Sequence, residues 1–229
     1  MSIVKICGLS TPETLEAALA AGADMVGFVR FAPSPRHVEL APGRELSAMA
    51  RGRARRVLLA VDPTDQELEA ALEALDPDLI QLHGAETPDR VRAIGHVAGR
   101  PVVKAIGVAE AADLDRIAIY RGLVDGVLLD AKPPRQATRP GGHGATFDWR
   151  ILDGYGSAPA LDPGPWTMLS GGLTATNVAE AIAVTRLDAV DVSSGVETRP
   201  GEKDAALITA FVEAARAAFA LAPASRRDA

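Results

Sequence analysis

A cysteine and an aspartate each stand near the end of an apolar, strand-like run, where they could move a proton. Cys7 is followed by Gly8, which lets a ligand approach the backbone. Asp130 follows three apolar residues, and its burial would favour the protonated carboxyl, which suits a general acid. A thiolate is the form of cysteine that acts as a base. A thiol and a carboxyl held in opposite protonation states predict general acid–base catalysis.

Both residues also have a structural interpretation that their types alone leave open. A lone cysteine on a core-facing strand is most often a small apolar side chain. An aspartate at the end of a strand often caps a loop. The position of Cys7 beside Gly8 favours chemistry. Lys5 favours it too, because a nearby cation stabilises the thiolate.

Glycine-rich segments after the last two predicted strands predict a phosphate site. Segments 170–173 and 191–197 offer backbone N–H groups with no obstructing side chain. In barrels of eight alternating strands and helices, the loops after the seventh and eighth strands often bind phosphate. A third segment, 141–144, adds flexible backbone. The residues expected to bind substrate here are Gly142, Gly144, Gly171, Gly172, Asp191, Ser193, Ser194 and Gly195.

Arg36 and His83 are two further candidate site residues. Two prolines stiffen the segment 33–37 and would hold the Arg36 guanidinium in place for a carboxylate or phosphate, although a solvated arginine explains the segment equally well. His83 could be a polar wall or a second acid–base group, and from spacing alone a hydrogen-bonded core histidine fits best. The four histidines lack the spacing of metal ligands, so we expect no metal and no cofactor.

A repeated pattern of a short apolar run followed by an amphipathic stretch must position these residues. The predicted strands span 3–9, 25–31, 56–61, 79–82, 101–108, 126–130, 167–170 and 189–193. The predicted helices span 12–21, 44–50, 65–75, 88–97, 111–120, a short one near 148, 175–184 and 205–220. Strict alternation of strand and helix predicts a parallel sheet covered on both faces. Eight units in 229 residues favour an α/β fold closed as a single (β/α)₈ TIM barrel.

Strand periodicity predicts which side chains face the inside of this barrel. Alternate apolar residues of the first strand should face the helices, so Lys5 and Cys7 should face inward. The same alternation turns Asp130 and Asp191 inward. Because a buried lysine needs a counter-charge, we predict an ion pair between Lys5 and Asp191 below the site.

Four aspartates form a weak internal repeat. Each precedes one of the even-numbered predicted strands, at Asp24, Asp78, Asp125 and Asp188. The repeat supports a barrel of similar units, but chance explains it equally well because aspartate suits the turns before strands.

Composition and charge exclude several classes of protein. The net charge is −6, and the one basic cluster, at 51–56, lacks interleaved aromatic residues, so we expect no nucleic-acid partner. A single cysteine allows no intrachain disulfide and indicates a reducing compartment. There is no signal-peptide pattern and no run of roughly 18 apolar residues, so we expect a cytoplasmic monomer or homodimer without membrane association. We expect one catalytic domain, 1–222, and a flexible tail, 223–229.

Nine short segments complete the sequence argument. They are KICG at 5–8, GFV at 27–29, SPR at 34–36, QLHG at 81–84, LLD at 128–130, GGHG at 141–144, FDW at 147–149, LSGGL at 169–173 and DVSSGVE at 191–197. With these segments in this order, the chain resembles the phosphoribosylanthranilate isomerase family from Val4 to about Ala220. Each segment is short, but nine in one order make the resemblance specific.

The resemblance implies a (β/α)₈ barrel that carries out an Amadori rearrangement of N-(5-phosphoribosyl)anthranilate in tryptophan biosynthesis. By position, Asp130 is similar to the acid that protonates the ribose ring oxygen, and Cys7 to the base that removes the C2 proton. Arg36 is similar to the group that holds the anthranilate carboxylate, and the glycine-rich segments to the phosphate site. The chain departs from the family pattern at Arg30 and His143.

Two other functions are consistent with a barrel of this kind. A related isomerase of histidine biosynthesis resembles this chain but uses two carboxylates, with an aspartate where Cys7 stands. The cysteine therefore favours the anthranilate-containing substrate. A phosphate-binding barrel without catalytic activity is the second alternative, and it predicts no turnover.

Overall fold

Eight parallel strands close into a barrel in the order of the chain, as predicted. The computed structural model describes residues 2–132, 141–142, 144, 146–152 and 166–222. The barrel strands are β1 Ile3–Cys7, β2 Met25–Arg30, β3 Arg55–Ala60, β4 Leu79–Leu82, β5 Val102–Val108, β6 Gly126–Ala131, β7 Trp166–Leu169 and β8 Ala189–Val192. Hydrogen bonding between β1 and β8 completes the ring, with Lys5 opposite Asp191. The predicted fold class is confirmed.

Helices cover the outside of the barrel. They are α1 Pro12–Ala20, α2 Leu40–Ala50, α3 Asp65–Leu75, α4 Pro88–Ala98, α5 Arg116–Tyr120, α6 Val178–Thr185 and α7 Ala205–Leu221. Side-chain caps define several of their starts: Thr11, Thr64 and Thr87 each accept a hydrogen bond from a backbone N–H three residues later. Proline at the first helical position of α1 and α4 fits there, because that N–H has no partner within the helix.

Three predicted elements differ from the structure. The predicted loop before α2 ends early, because Pro42 is accommodated in the first turn of α2, where its missing N–H is not needed. The predicted helix 111–120 divides into a 3₁₀ helix, Ala111–Asp115, and the short helix α5. The helix predicted near 148 is a 3₁₀ helix, Trp149–Leu152.

A short antiparallel hairpin after β8 was not predicted. It consists of β9, Glu197–Arg199, and β10, Glu202–Lys203. Its strands have three and two residues, too few for a period-2 pattern to be recognised in the sequence.

Apolar side chains form two layers. The larger layer lies between the strands and the helices, and includes Val4, Ile6 and Phe211. The smaller layer fills the barrel with alternate residues of the strands, such as Met25 and Leu128. This alternation turns Lys5, Cys7, Asp130 and Asp191 to the inside, as strand periodicity predicted.

The aspartate repeat has a structural basis in three of its four positions. At the N-terminal end of the barrel, one carboxylate oxygen accepts a hydrogen bond from the backbone N–H of the preceding strand. The pairs are Asp24 with Val4 at 2.6 Å, Asp78 with Arg56 at 2.7 Å and Asp125 with Val102 at 2.8 Å. The side chain of Asp188 makes no such bond within the described residues, although its carbonyl accepts from the N–H of Ile3 at 2.7 Å.

No helix in the part of the chain that the structure describes is long and apolar enough to cross a membrane. The predicted tail, 223–229, lies outside the described residues.

Candidate active site

One pocket opens at the C-terminal end of the barrel strands. All twelve residues that the sequence nominated line it: Cys7, Arg36, His83, Asp130, Gly142, Gly144, Gly171, Gly172, Asp191, Ser193, Ser194 and Gly195. Residues from distant parts of the sequence therefore meet where barrels of this type carry their chemistry.

Cys7 ends β1 and lies on the wall of the pocket, 3% exposed. Burial raises the pKa of its thiol, the neighbouring Lys5 lowers it, Asp191 raises it, and the net pKa lies above the ordinary value. The expectation that Lys5 favours the thiolate is confirmed in direction. Desolvation of the thiolate nevertheless outweighs the attraction of the ammonium.

The predicted ion pair beneath Cys7 is confirmed. Lys5 Nζ lies 2.7 Å from Oδ1 of Asp191, and both side chains are buried. Ser170 donates to the other carboxylate oxygen at 3.1 Å. Burial lowers the pKa of Lys5, but Asp191 and Cys7 outweigh that effect and hold the net pKa above its usual value. Lys5 is therefore held in its charged form by Asp191, behind the pocket residue Cys7.

Asp130, in β6, has a hydrogen-bond partner at each of its carboxyl oxygens. The backbone N–H of Ala131 donates to Oδ1 at 2.9 Å. Nε2 of His83, in the loop after β4, lies 3.2 Å from Oδ2, and Nδ1 of the same ring lies 3.2 Å from Nε2 of Gln81. His83 is therefore both hydrogen-bonded and part of the pocket wall, which joins the two interpretations that the sequence left open.

Two glycines give Asp130 its space. An added Cβ at Gly171 would lie 2.5 Å from the backbone nitrogen of Ala131 and 3.0 Å from Oδ1 of Asp130. One at Gly141 would lie 2.8 Å from Oδ2 of Asp130 and 2.9 Å from Nε2 of His83. Gly171 also has φ +89°, which residues with a side chain rarely adopt. The loop after β7 can approach the carboxyl this closely only with glycine.

Arg36 lies in the loop between β2 and α2 and is buried, so it is not a solvated arginine. Its Nε and Nη2 donate to the two carboxylate oxygens of Glu197, at 2.6 and 2.7 Å, and Nη2 also lies 3.3 Å from the carbonyl oxygen of Gly142. The sequence argument predicted a fixed guanidinium but missed Glu197. The only signal for this partner was its place at the end of the DVSSGVE segment.

The backbone after β7 and β8 forms the far wall of the pocket. The loop after β8 contains Ser193 and a single-turn 3₁₀ helix, Ser194–Val196. A side chain at Gly195 would collide with the carbonyl oxygen of Leu173, so glycine lets the loops after β7 and β8 pack together. Of the predicted segment 141–144, Gly142 and Gly144 line the pocket, and His143 lies outside the described residues.

Among the described residues, no three side chains of His, Cys, Asp or Glu come together in a group that could hold a metal ion. Nε2 of His37 lies 3.2 Å from Nη1 of Arg30 and 3.3 Å from Oε1 of Glu39. It remains a prediction that the protein needs neither a metal nor a cofactor.

Comparison with known proteins agrees with this geometry. The sequence model of the family described as N-(5'phosphoribosyl)anthranilate (PRA) isomerase matches residues 4–214. The chain belongs to this family. The PRA isomerase of Nitrobacter hamburgensis is 56% identical over 216 residues, which cover 94% of this chain and 93% of the relative.

Solved PRA isomerase structures have the same fold. The enzyme from Thermotoga maritima gives a TM-score of 0.82 at 36% identity, covering 95% of this chain and 100% of the other. A second structure gives 0.79 at 33% identity, covering 95% and 100%, and holds reduced 1-(o-carboxyphenylamino)-1-deoxyribulose 5-phosphate. As a member of the PRA isomerase family, the chain is an isomerase with a (β/α)₈ barrel.

Proposed function

We propose that this chain converts N-(5-phosphoribosyl)anthranilate into 1-(2-carboxyphenylamino)-1-deoxyribulose 5-phosphate, a step of tryptophan biosynthesis. The reaction is an Amadori rearrangement, so the enzyme is an intramolecular oxidoreductase of the aldose–ketose type. One observation carries the proposal: Cys7 of β1 and Asp130 of β6 open onto one pocket, with glycine-rich loops beside them. Family membership supports the substrate.

Asp130 serves as the general acid and Cys7 as the general base. Asp130 protonates the ribose ring oxygen, the C1–O bond breaks, and the anthranilate nitrogen forms a Schiff base with C1. The thiolate of Cys7 then removes the C2 proton, which gives an enolamine. The enolamine then takes a proton at C1 and gives up the O2 proton, which completes the ketone. One proton returned from Cys7 and one regained by Asp130, directly or through solvent, restore the thiolate and the acid. Hydrogen-bond partners at both oxygens hold the Asp130 carboxyl in place.

The two anionic ends of the substrate have separate places in the pocket. Arg36 holds the anthranilate carboxylate, for which a fixed guanidinium is suited. Backbone N–H groups near Gly142, Gly144, Gly171 and Gly172, together with Ser193, Ser194 and Gly195, surround the phosphate end, whereas Asp191 lines the pocket as the partner of Lys5. The barrel acts as a single catalytic domain. We place it in the cytoplasm as a monomer or homodimer, without metal, cofactor, nucleic acid or membrane partner.

Turnover of the substrate tests the proposal directly. Phosphoribosylanthranilate is fluorescent, so its decay is followed with the purified protein, and the ketose product is identified by mass spectrometry. We expect decay that depends on enzyme concentration. The aminoaldose phosphate of histidine biosynthesis serves as the comparison substrate, and preference for it would support the related isomerase instead. If neither compound is turned over, the result would support a phosphate-binding barrel without catalytic activity.

A further inference from the structure

Arg36 does not face the pocket as an isolated cation. Its Nε and Nη2 donate hydrogen bonds to the two carboxylate oxygens of Glu197, the first residue of β9, at 2.6 and 2.7 Å. Both side chains are almost completely buried, at 5% and 4% exposed. This arrangement leaves Nη1 as the edge of the guanidinium that Glu197 does not occupy. A bidentate pair in this burial fixes the direction in which that edge points.

Lys203, in β10, binds the same carboxylate from the other strand of the hairpin. Its Nζ lies 2.7 Å from Oε1 of Glu197 and is 1% exposed. The same ammonium donates to the carbonyl oxygen of Ser193 at 2.8 Å and lies 3.2 Å from its hydroxyl. Lys203 therefore connects the Arg36–Glu197 pair to the loop after β8, which lines the proposed phosphate end.

The charges of this cluster decide what it can attract. Arg36 with Glu197 alone is a neutral pair, and a neutral pair offers little net attraction to a carboxylate. Lys203 adds a second cation to one anion, so the three side chains carry one net positive charge. Burial raises the pKa of Glu197, but Arg36 and Lys203 outweigh it and hold the net pKa below its ordinary value. Burial lowers the pKa of Lys203 and Glu197 raises it, and the net pKa lies below the ordinary value.

The hairpin that carries Glu197 and Lys203 also contacts the loop that carries Arg36. The N–H of Gly201, at the turn, donates to Glu197 at 3.2 Å. An added Cβ at Gly201 would lie 2.5 Å from the carbonyl oxygen of Pro35, and the residue has φ +89°. The turn between β9 and β10 is therefore pressed against the residue that precedes Arg36, which restrains the backbone as well as the guanidinium.

We infer that Glu197 and Lys203 are positioning residues that make the pocket selective for a substrate with a carboxylate on its aromatic ring. Glu197 aligns Arg36 so that Nη1 receives that carboxylate, and Lys203 supplies the net charge and ties this end of the pocket to Ser193 at the phosphate end. The inference rests on the proposed function, because it assumes that the substrate carries both groups.

The experiment compares two ligands that differ only in the carboxylate. They are reduced 1-(o-carboxyphenylamino)-1-deoxyribulose 5-phosphate and its phenylamino counterpart, and their affinities are measured by titration calorimetry. Glu197→Gln raises the net charge of the cluster from one to two, but it places an amide NH2, which cannot accept a hydrogen bond, against one of the two Arg36 donors. We expect the lost alignment to outweigh the added charge, with about a tenfold or larger loss of affinity for the carboxylated ligand and less than about a twofold change for the other, because hydrogen bonds to charged groups are directional and strong. A gain of affinity for the carboxylated ligand would overturn the inference. Lys203→Met should weaken both ligands, since it also releases Ser193.

Matched variants separate positioning from a structural role. Glu202→Gln removes an exposed carboxylate from the same hairpin and should change neither affinity. Glu197→Asp keeps the charge but withdraws it by one methylene, so it should fold if Glu197→Gln does not and should show an intermediate loss. In an Arg36→Met background, Glu197→Gln should no longer change the ratio of the two affinities.

The inference would be overturned if both Glu197 variants kept the wild-type ratio of the two ligand affinities, or lost affinity equally for both ligands. If the wild type still isomerises phosphoribosylanthranilate in that case, the proposed function stands without it. A wild type that binds neither ligand and shows no turnover would overturn both.

Discussion

Nε2 of His83 lies 3.2 Å from Oδ2 of Asp130, and the other ring nitrogen lies 3.2 Å from the side-chain nitrogen of Gln81. If Gln81 donates to Nδ1, then Nε2 carries the hydrogen of the neutral ring and donates to Asp130. The proposed acid is thus oriented by a residue from the loop after β4.

This contact predicts that His83 contributes to turnover more than to binding. His83→Leu removes the hydrogen bond at similar volume, and we expect kcat to fall about ten- to a hundredfold, with a smaller change in KM, because a bond to a charged group contributes about 1.5–3 kcal/mol. His96→Leu, on the exposed face of α4, is the control and should retain activity. An unchanged kcat in His83→Leu would contradict the orienting role.

The acid and base are each expected to be indispensable. Cys7→Ser and Asp130→Asn should each lower kcat/KM at least about a hundredfold, the usual contribution of a proton-transferring group. Asp125→Asn, at the opposite end of the barrel, keeps an oxygen that can accept from Val102 and should have nearly full activity. Fluorescence decay of the substrate measures all three. Normal rates in either pocket variant would remove that residue from the mechanism.

The thiolate fraction of the buried Cys7 should rise with pH. Burial raises the pKa of Cys7, and the net value lies above the usual range despite Lys5. Because Cys7 is the only cysteine of the sequence, the ultraviolet absorbance of a thiolate reports on this residue alone. We expect that absorbance to rise through about pH 7–9 without a plateau and to be missing in Cys7→Ser. A plateau reached below about pH 8 would contradict the raised pKa of the thiol.

Gly171 offers a test of the close approach to Asp130. Gly171→Ala adds a Cβ 2.5 Å from the nitrogen of Ala131, so we expect kcat to fall at least about tenfold as Asp130 is displaced. Gly22 has nearly the same φ, +88° against +89°, but nothing within 4 Å of an added Cβ. Gly22→Ala should therefore share the backbone strain, seen in urea unfolding, but keep its activity. Equal activities in the two variants would mean that the contact is unimportant.

The aspartates at the N-terminal end should contribute to stability instead of activity. Asp78 accepts from the backbone N–H of Arg56 and pairs with its guanidinium at 2.9 Å, so Asp78→Ala should lower the free energy of unfolding by about 1–3 kcal/mol. Asp188→Ala, which removes no such bond within the described residues, should change it by less than about 0.5 kcal/mol. Urea unfolding measures both, and equal losses would contradict the interpretation.

The sign of the pH effect follows from the same contact. Hydrogen bonds from Arg56 lower the pKa of Asp78 in the folded chain. Its stabilisation is therefore complete above the ordinary pKa and is lost as the pH falls through the lowered value. In urea unfolding, the difference in the free energy of unfolding between wild type and Asp78→Ala should become smaller below about pH 4, the ordinary range of an aspartate pKa.

The parts of the site that lie on strands were predictable from the sequence. Side chains alternate along a strand, so the inward direction of Lys5, Cys7 and Asp191 followed from parity once the strands were placed. The Lys5–Asp191 pair followed from the cost of burying an unpaired ammonium. Neither argument needs a distance between segments, because the order of strands in a closed parallel barrel follows the chain.

Contacts between loops could not be predicted in this way. Arg36 and Glu197 are separated by 161 positions, and their bond depends on a hairpin too short to leave a periodic pattern. The net pKa of Cys7 could not be predicted, because the sequence shows the favourable cation, whereas the extent of desolvation is a property of the folded pocket.

The carboxylates of Asp24, Asp78 and Asp125 fasten the strands two by two at the edge of the barrel farthest from the pocket. Each of these hydrogen bonds joins only two neighbouring strands, so it does not depend on the loops at the other end of the barrel. The loops around the pocket can therefore vary, through evolution or engineering, and accept new ligands without disturbing the bonds that join these strand pairs.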